Sequence, residues 1–187
     1  MSYQKLLSDM SYSLSDLDMK QLLGNDARII KYSQLSDYAS IDKLLPNKFD
    51  YVILLVELVE NVGHFECLVR SGNNIFFFDP YGVRVDKSLL FADKQVRREL
   101  GQKYPLLSHM LNDALDAGFN VQFNSYQYQE KNGNINTCGR WCSVFINFMK
   151  RADEKHKNLI SFNTYVLQSA KAQEFKNLDM WVTHATT

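Results

Sequence analysis

A chain of 187 residues, 45% of them hydrophobic and 13% aromatic, can bury the core of one domain. Its 21 Lys and Arg balance 21 Asp and Glu, which argues against chain-wide attraction to nucleic acid or to a membrane surface. Three cysteines, Cys67, Cys138 and Cys142, are too few for a disulfide framework and fit a reducing compartment.

The opening residues MSYQKLLSDMSYS lack the basic start and apolar stretch of a secretory signal. The longest apolar run, Tyr51 to Val56, is too short to cross a bilayer, so neither secretion nor a membrane partner is expected. The first clear helix begins after Ser15, a capping residue, with Asp16 and Asp18 in the first turn and Leu14 and Met19 placed to staple it. Gly24 suits its left-handed stop. Ala27 to Tyr32 alternates weakly as a short strand, and Pro46-Asn47 marks a loop.

Tyr51 to Val59 is nearly continuous in apolar, β-branched residues, the pattern of a central strand covered on both faces. A turn through Asn61, Val62 and Gly63 leads to a second strand, His64 to Arg70. Ser71-Gly72-Asn73-Asn74 is hairpin chemistry, and Ile75 to Asp79 returns as a third strand stopped by Pro80-Tyr81-Gly82. A polar, helical stretch from Lys87 precedes a helix that starts at Pro105 and ends at Gly118. Phe119 to Phe123 alternates as a further strand, with an extension to Gln129 if it continues. Asn124 to Thr137 is polar, and Cys138 opens an apolar helix to about Arg151. Helical patterns over Phe162 to Ala170 and Lys171 to Val182 complete an α+β chain. Helices dominate residues 1–50, the core spans 51–150, and helices return over 151–187, all within one domain.

Cys138 stands at a helix N-terminus, where unsatisfied N–H groups and the helix dipole favour a thiolate. Gly139 beside it permits close approach of another backbone. Position alone fits a nucleophile and a buried structural cysteine equally. His64 begins one hairpin strand and Asp79 ends the other, so the turn brings both to one end of the sheet. There a carboxylate can fix the imidazole tautomer and orient its other nitrogen toward a nucleophile. Taken without Cys138, the same pair reads as a surface histidine and a turn. Cys142, one helical turn beyond Cys138, and Cys67, on the strand face opposite His64, are expected in the core. A metal site built from Cys138, Cys142 and a histidine lacks the usual zinc spacing and a fourth ligand, so no metal is expected. His109, His156 and His184 are expected on the surface.

Gly63-His64-Phe65, Phe77-Phe78-Asp79-Pro80-Tyr81-Gly82 and Thr137-Cys138-Gly139-Arg140-Trp141-Cys142 together resemble the motif set of adenain, the adenovirus maturation protease. Its clan also holds the proteases that remove SUMO- and ubiquitin-like modifiers. The order His, Asp, Gln, Cys-Gly matches that clan, whereas papain-like enzymes run Cys, His, Asn. The resemblance implies an adenain-like cysteine protease fold, with a mixed central sheet, flanking helices and the cysteine opening a buried helix. It also implies a catalytic set of His64, Asp79 and Cys138, with an oxyanion hole of the Cys138 N–H and a glutamine. Gln129 is the expected glutamine and Gln127 the reserve, both farther from the cysteine than relatives place it. The implied function is cleavage of viral capsid or core precursors at glycine-containing sites, in a host-cytoplasmic viral factory and the virion interior. A modifier-deconjugating protease, a non-catalytic binding module and an acyltransferase are the alternatives. A monomer without a small-molecule cofactor is expected, with weak or absent DNA binding; the resemblance leaves room for an activating peptide.

Overall fold

The computed structural model describes residues 2–187, built around a five-stranded sheet whose strands lie side by side in chain order. Helices α1 (Tyr3–Ser11) and α2 (Asp16–Leu23) lead into β1 (Ile29–Lys31), a 3-10 turn at Tyr32–Asp37 and the short α3 (Ile41–Leu44). Strands β2 (Phe49–Val59), β3 (Val62–Ser71) and β4 (Asn74–Phe78) follow as antiparallel neighbours. A 3-10 turn at Lys87–Phe91, α4 (Lys94–Glu99) and α5 (Leu106–Asp116) come next. They lead to β5 (Asn120–Phe123), which pairs with β4 in parallel, as β1 does with β2. Helices α6 (Cys138–Arg151), α7 (Leu159–Ala172) and α8 (Leu178–Ala185) close the chain. The architecture is α+β, a mixed central sheet flanked by helices.

The apolar run in β2 has its reason in this arrangement. Ile53 and Leu55 face a core beneath α6, while Val52, Leu54 and Val56 face a second core beneath α5. A strand buried on both faces cannot alternate polar and apolar residues. Between α6 and the sheet lies a layer of rings in which Phe145 stacks on Phe78, centroids 4.4 Å apart. The cap expected for α2 forms in full: Ser15 accepts from Asp18 N–H, and the Asp18 carboxylate accepts from Ser15 N–H.

Four local expectations change. Helix α1 was not anticipated; only Leu6 and Met10 on it are buried, too few to mark a face in a polar stretch. The β2–β3 turn is made by Asn61 at φ 60°, which leaves Gly63 inside β3. There a Cβ would stand 1.9 Å from the Val56 carbonyl oxygen, so only glycine fits beside His64. Strand β5 stops at Phe123 and does not reach Gln129. The helix expected over Lys171 to Val182 is interrupted, because Glu174 turns at φ 61° and Asn177 caps a new helix by accepting from Met180 N–H. Among the described residues, no helix is long and apolar enough to cross a membrane.

Candidate active site

His64 and Asp79 meet at one end of the sheet, as the hairpin requires. His64 Nε2 lies 3.2 Å from Asp79 Oδ2, and both side chains are buried. Asp79 is itself held rigidly. Its Oδ1 accepts from Tyr81 N–H at 2.6 Å, its N–H donates to Asn124 Oδ1 at 2.8 Å, and its carbonyl accepts from Asn124 Nδ2 at 2.7 Å. The turn after Asp79 depends on Gly82 at φ 64°, where a Cβ would lie 2.7 Å from the Tyr126 carbonyl oxygen.

Cys138 is the first residue of α6 and lies close enough to His64 for the imidazole to act on its thiol. Since Nε2 faces Asp79, Nδ1 is the ring nitrogen left for the sulfur. Burial pushes the Cys138 thiol up. The hydrogen bond and charge of His64, with backbone hydrogen bonds from Phe65 and Gly139, more than offset this and leave it below its ordinary value. Burial alone would lower His64, but its bonds to Asp79 and Cys138 push it up to about 10. Both shifts favour a thiolate beside an imidazolium. Such a pair can attack a carbonyl and then protonate a leaving amine. Tyr81 stacks on the imidazole, centroids 4.6 Å apart, and Phe91 meets it edge-on at 5.8 Å. A cleft of about 590 Å³ runs alongside, lined in part by Leu14, Lys31, Gly63 and Phe65. His64, Asp79 and Cys138 do not line it; Leu14 and Phe65, which do, pack against Gly139 at the start of α6.

The two glutamines separate. Gln129 is buried, and its Nε2 donates to the Ile135 carbonyl at 2.9 Å and to the Tyr81 hydroxyl at 3.3 Å. Gln127 is exposed and donates to the Gln129 carbonyl at 2.9 Å. Because β5 ends early, neither lies on a strand; the backbone N–H groups of Tyr128 and Gln129 donate instead to the Pro80 carbonyl.

No family model matches the chain. The uncharacterized protein V9 of Sputnik virophage is 35% identical over 155 residues, spanning 82% of this chain and 83% of V9. This chain belongs to the V9 family. Among solved structures, the central domain of an uncharacterized Legionella pneumophila protein matches 93% of the chain and 96% of its own length at 18% identity. The TM-score of that match is 0.41, too low to carry over a fold or a function.

In this V9 relative, several residues around the site were not anticipated. Asp179 on α8 is buried and accepts from three donors: Thr137 Oγ1, Trp141 Nε1 at 3.0 Å and Glu130 N–H at 2.8 Å. It thereby holds both ends of the loop that runs from Gln129 to Cys138. Nothing local marks an aspartate in a helical pattern for this role. Glu66 is buried on β3 and accepts from Ser88 Oγ at 2.9 Å, while its Oε1 has no partner. His64, Glu66 and Asp79 offer atoms within 4.8 Å of one another, a spacing an ion could bridge, although His64 and Asp79 are bonded to each other.

Burial, then the nearby Asp79, pushes Glu66 up to about 8. An acid raised in the folded state holds its proton more tightly there than in the unfolded chain. Its contribution to stability is present below the unfolded value of about 4.3 and is lost as pH rises through about 8. Glu66→Gln, which mimics the neutral acid, is expected to remove that loss and to be more stable than the wild type near pH 9. Urea midpoints that fall equally with pH in both proteins would contradict this.

Cys142 and Cys67 are buried in the α6 core as expected, with Cys142 Sγ 3.5 Å from the Phe65 carbonyl oxygen. His109, His156 and His184 are exposed.

Proposed function

We propose that the protein is an adenain-like cysteine endopeptidase that cleaves capsid or core precursors during virion maturation. The observation that carries this is a buried histidine bound to a carboxylate, beside a buried cysteine that opens a helix and whose thiol the histidine lowers. In this mechanism the Cys138 thiolate attacks the scissile carbonyl. His64 then gives its proton to the departing amine, water releases the acyl group, and Asp79 holds the imidazole throughout. Membership of the V9 family supports a viral setting, with the host cytoplasm, the viral factory and the virion interior as places of action. Cleavage at glycine-containing sites follows from the adenain resemblance. The balanced charge supports weak duplex binding at most, which submicromolar affinity at physiological salt would overturn.

The test is selective alkylation. With stoichiometric iodoacetamide near pH 6, Cys138 is expected to be labelled ahead of Cys67 and Cys142, as located by mass spectrometry. His64→Ala should slow that labelling about tenfold or more, because the thiol loses the neighbour that lowers it. Equal labelling of the three thiols, or no effect of the substitution, would remove the assignment. Digestion of virion proteins by the wild type, but not by Cys138→Ala, would then identify substrates.

A further inference from the structure

Tyr81 touches both halves of the proposed machinery. Its ring lies against His64 at an interplanar angle of 13°, and its hydroxyl accepts from Gln129 Nε2 at 3.3 Å. An amide nitrogen has two hydrogens, and the second one on Gln129 goes to the Ile135 carbonyl at 2.9 Å. Gln129 therefore has no donor to spare as it stands. Flipping the amide would set Oε1 against the Ile135 oxygen, so the orientation follows from the bonding.

The Tyr81 hydroxyl is in the opposite position. It accepts one bond and, among the described residues, its own hydrogen meets no acceptor. A hydroxyl that accepts a bond is polarised into a stronger donor. Burial, followed by the charge of Cys138, pushes the phenol up to about 12, so it keeps its proton at neutral pH.

We infer that the Tyr81 hydroxyl is a catalytic residue: it donates to the oxyanion formed at Cys138, and Gln129 is the positioning residue behind it. This deepens the thiol-protease proposal and rests on it. As the S–C bond forms, the carbonyl π pair moves to oxygen, where Tyr81 O–H and Cys138 N–H receive it. As that pair returns, the C–N bond breaks and the amine leaves with the proton from His64.

The test compares two reactions of Cys138 in the full chain. p-Nitrophenyl acetate acylates a thiolate through a tetrahedral oxyanion, whereas iodoacetamide reacts at a saturated carbon and forms none. Tyr81→Phe keeps the ring on His64 and is expected to slow acylation about 100- to 1000-fold while leaving alkylation and its pH profile unchanged. Gln129→Ala should also slow acylation alone, because the phenol loses its support, and it stands as the second variant should Tyr81→Phe prove unstable. Wild-type acylation in Tyr81→Phe overturns the inference. So does a parallel loss of both reactions, which would place Tyr81 on His64 and not on the oxyanion. A wild type that is neither acylated nor preferentially alkylated at Cys138 removes the parent proposal, an outcome distinct from either.

Discussion

Asp79→Asn is expected to slow alkylation of Cys138 at about pH 6–7 on the order of a hundredfold, with the fold retained. The carboxylate bonded to Nε2 is a principal reason that His64 is pushed up to about 10. An amide carries no charge, and it can turn its NH₂ toward the ring and favour the wrong tautomer. His64 then drops toward its ordinary value, and Cys138, whose thiol is lowered chiefly by His64, climbs back. In the proposed mechanism the wild-type reactive pair exists between the depressed Cys138 value and about 10. Proton loss from His64 at the upper end removes the acid for the leaving amine, so cleavage of an amide should fall there. In Asp79→Asn both limbs move inward and the plateau narrows. The backbone clamp from Asn124 does not depend on the carboxylate, so thermal unfolding should change far less than reactivity. An unaltered labelling profile in Asp79→Asn would show that Asp79 does not govern the imidazole.

Asp179→Ala is expected to cost about 3 kcal/mol or more of stability, read from urea unfolding. It leaves two buried donors, on Thr137 and Trp141, and the half-buried Glu130 N–H without their acceptor. The effect should extend to chemistry, because those donors bracket Gln129 and Cys138. Labelling of Cys138 at matched temperature below the transition should slow and lose selectivity over Cys142. Asp179→Asn keeps one oxygen acceptor and should fall between. If Asp179→Ala loses stability while Cys138 reacts as before, the loop keeps its shape through other contacts and α8 is only a brace.

Features set by neighbouring residues were legible in the sequence. The β2 run, the Ser71-Gly72-Asn73-Asn74 hairpin, the Ser15 cap and the start of α6 at Cys138 each follow from local preference or periodicity. His64 and Asp79 could be paired because a single short turn joins their strands. Contacts made across the chain were not legible. Asp179 finds Thr137 only because α8 packs beside α6, and Asn124 grips Asp79 only because β5 lies beside β4. The extension of β5 to Gln129 failed for a related reason: those backbone N–H groups turn to the Pro80 carbonyl, a partner no periodicity announces. The break at Glu174 was missed because its left-handed turn is not carried by a glycine.

The ring layer between α6 and the sheet has a consequence for chemistry as well as for packing. The sulfur rides on a helix and the imidazole on a strand, with a packed layer that includes Phe145 on Phe78 between helix and sheet. A close-packed interior transmits a change of one methylene to its neighbours. Core volume therefore works here as a ruler, and a substitution deep beneath the site can detune the thiol before it loosens the fold.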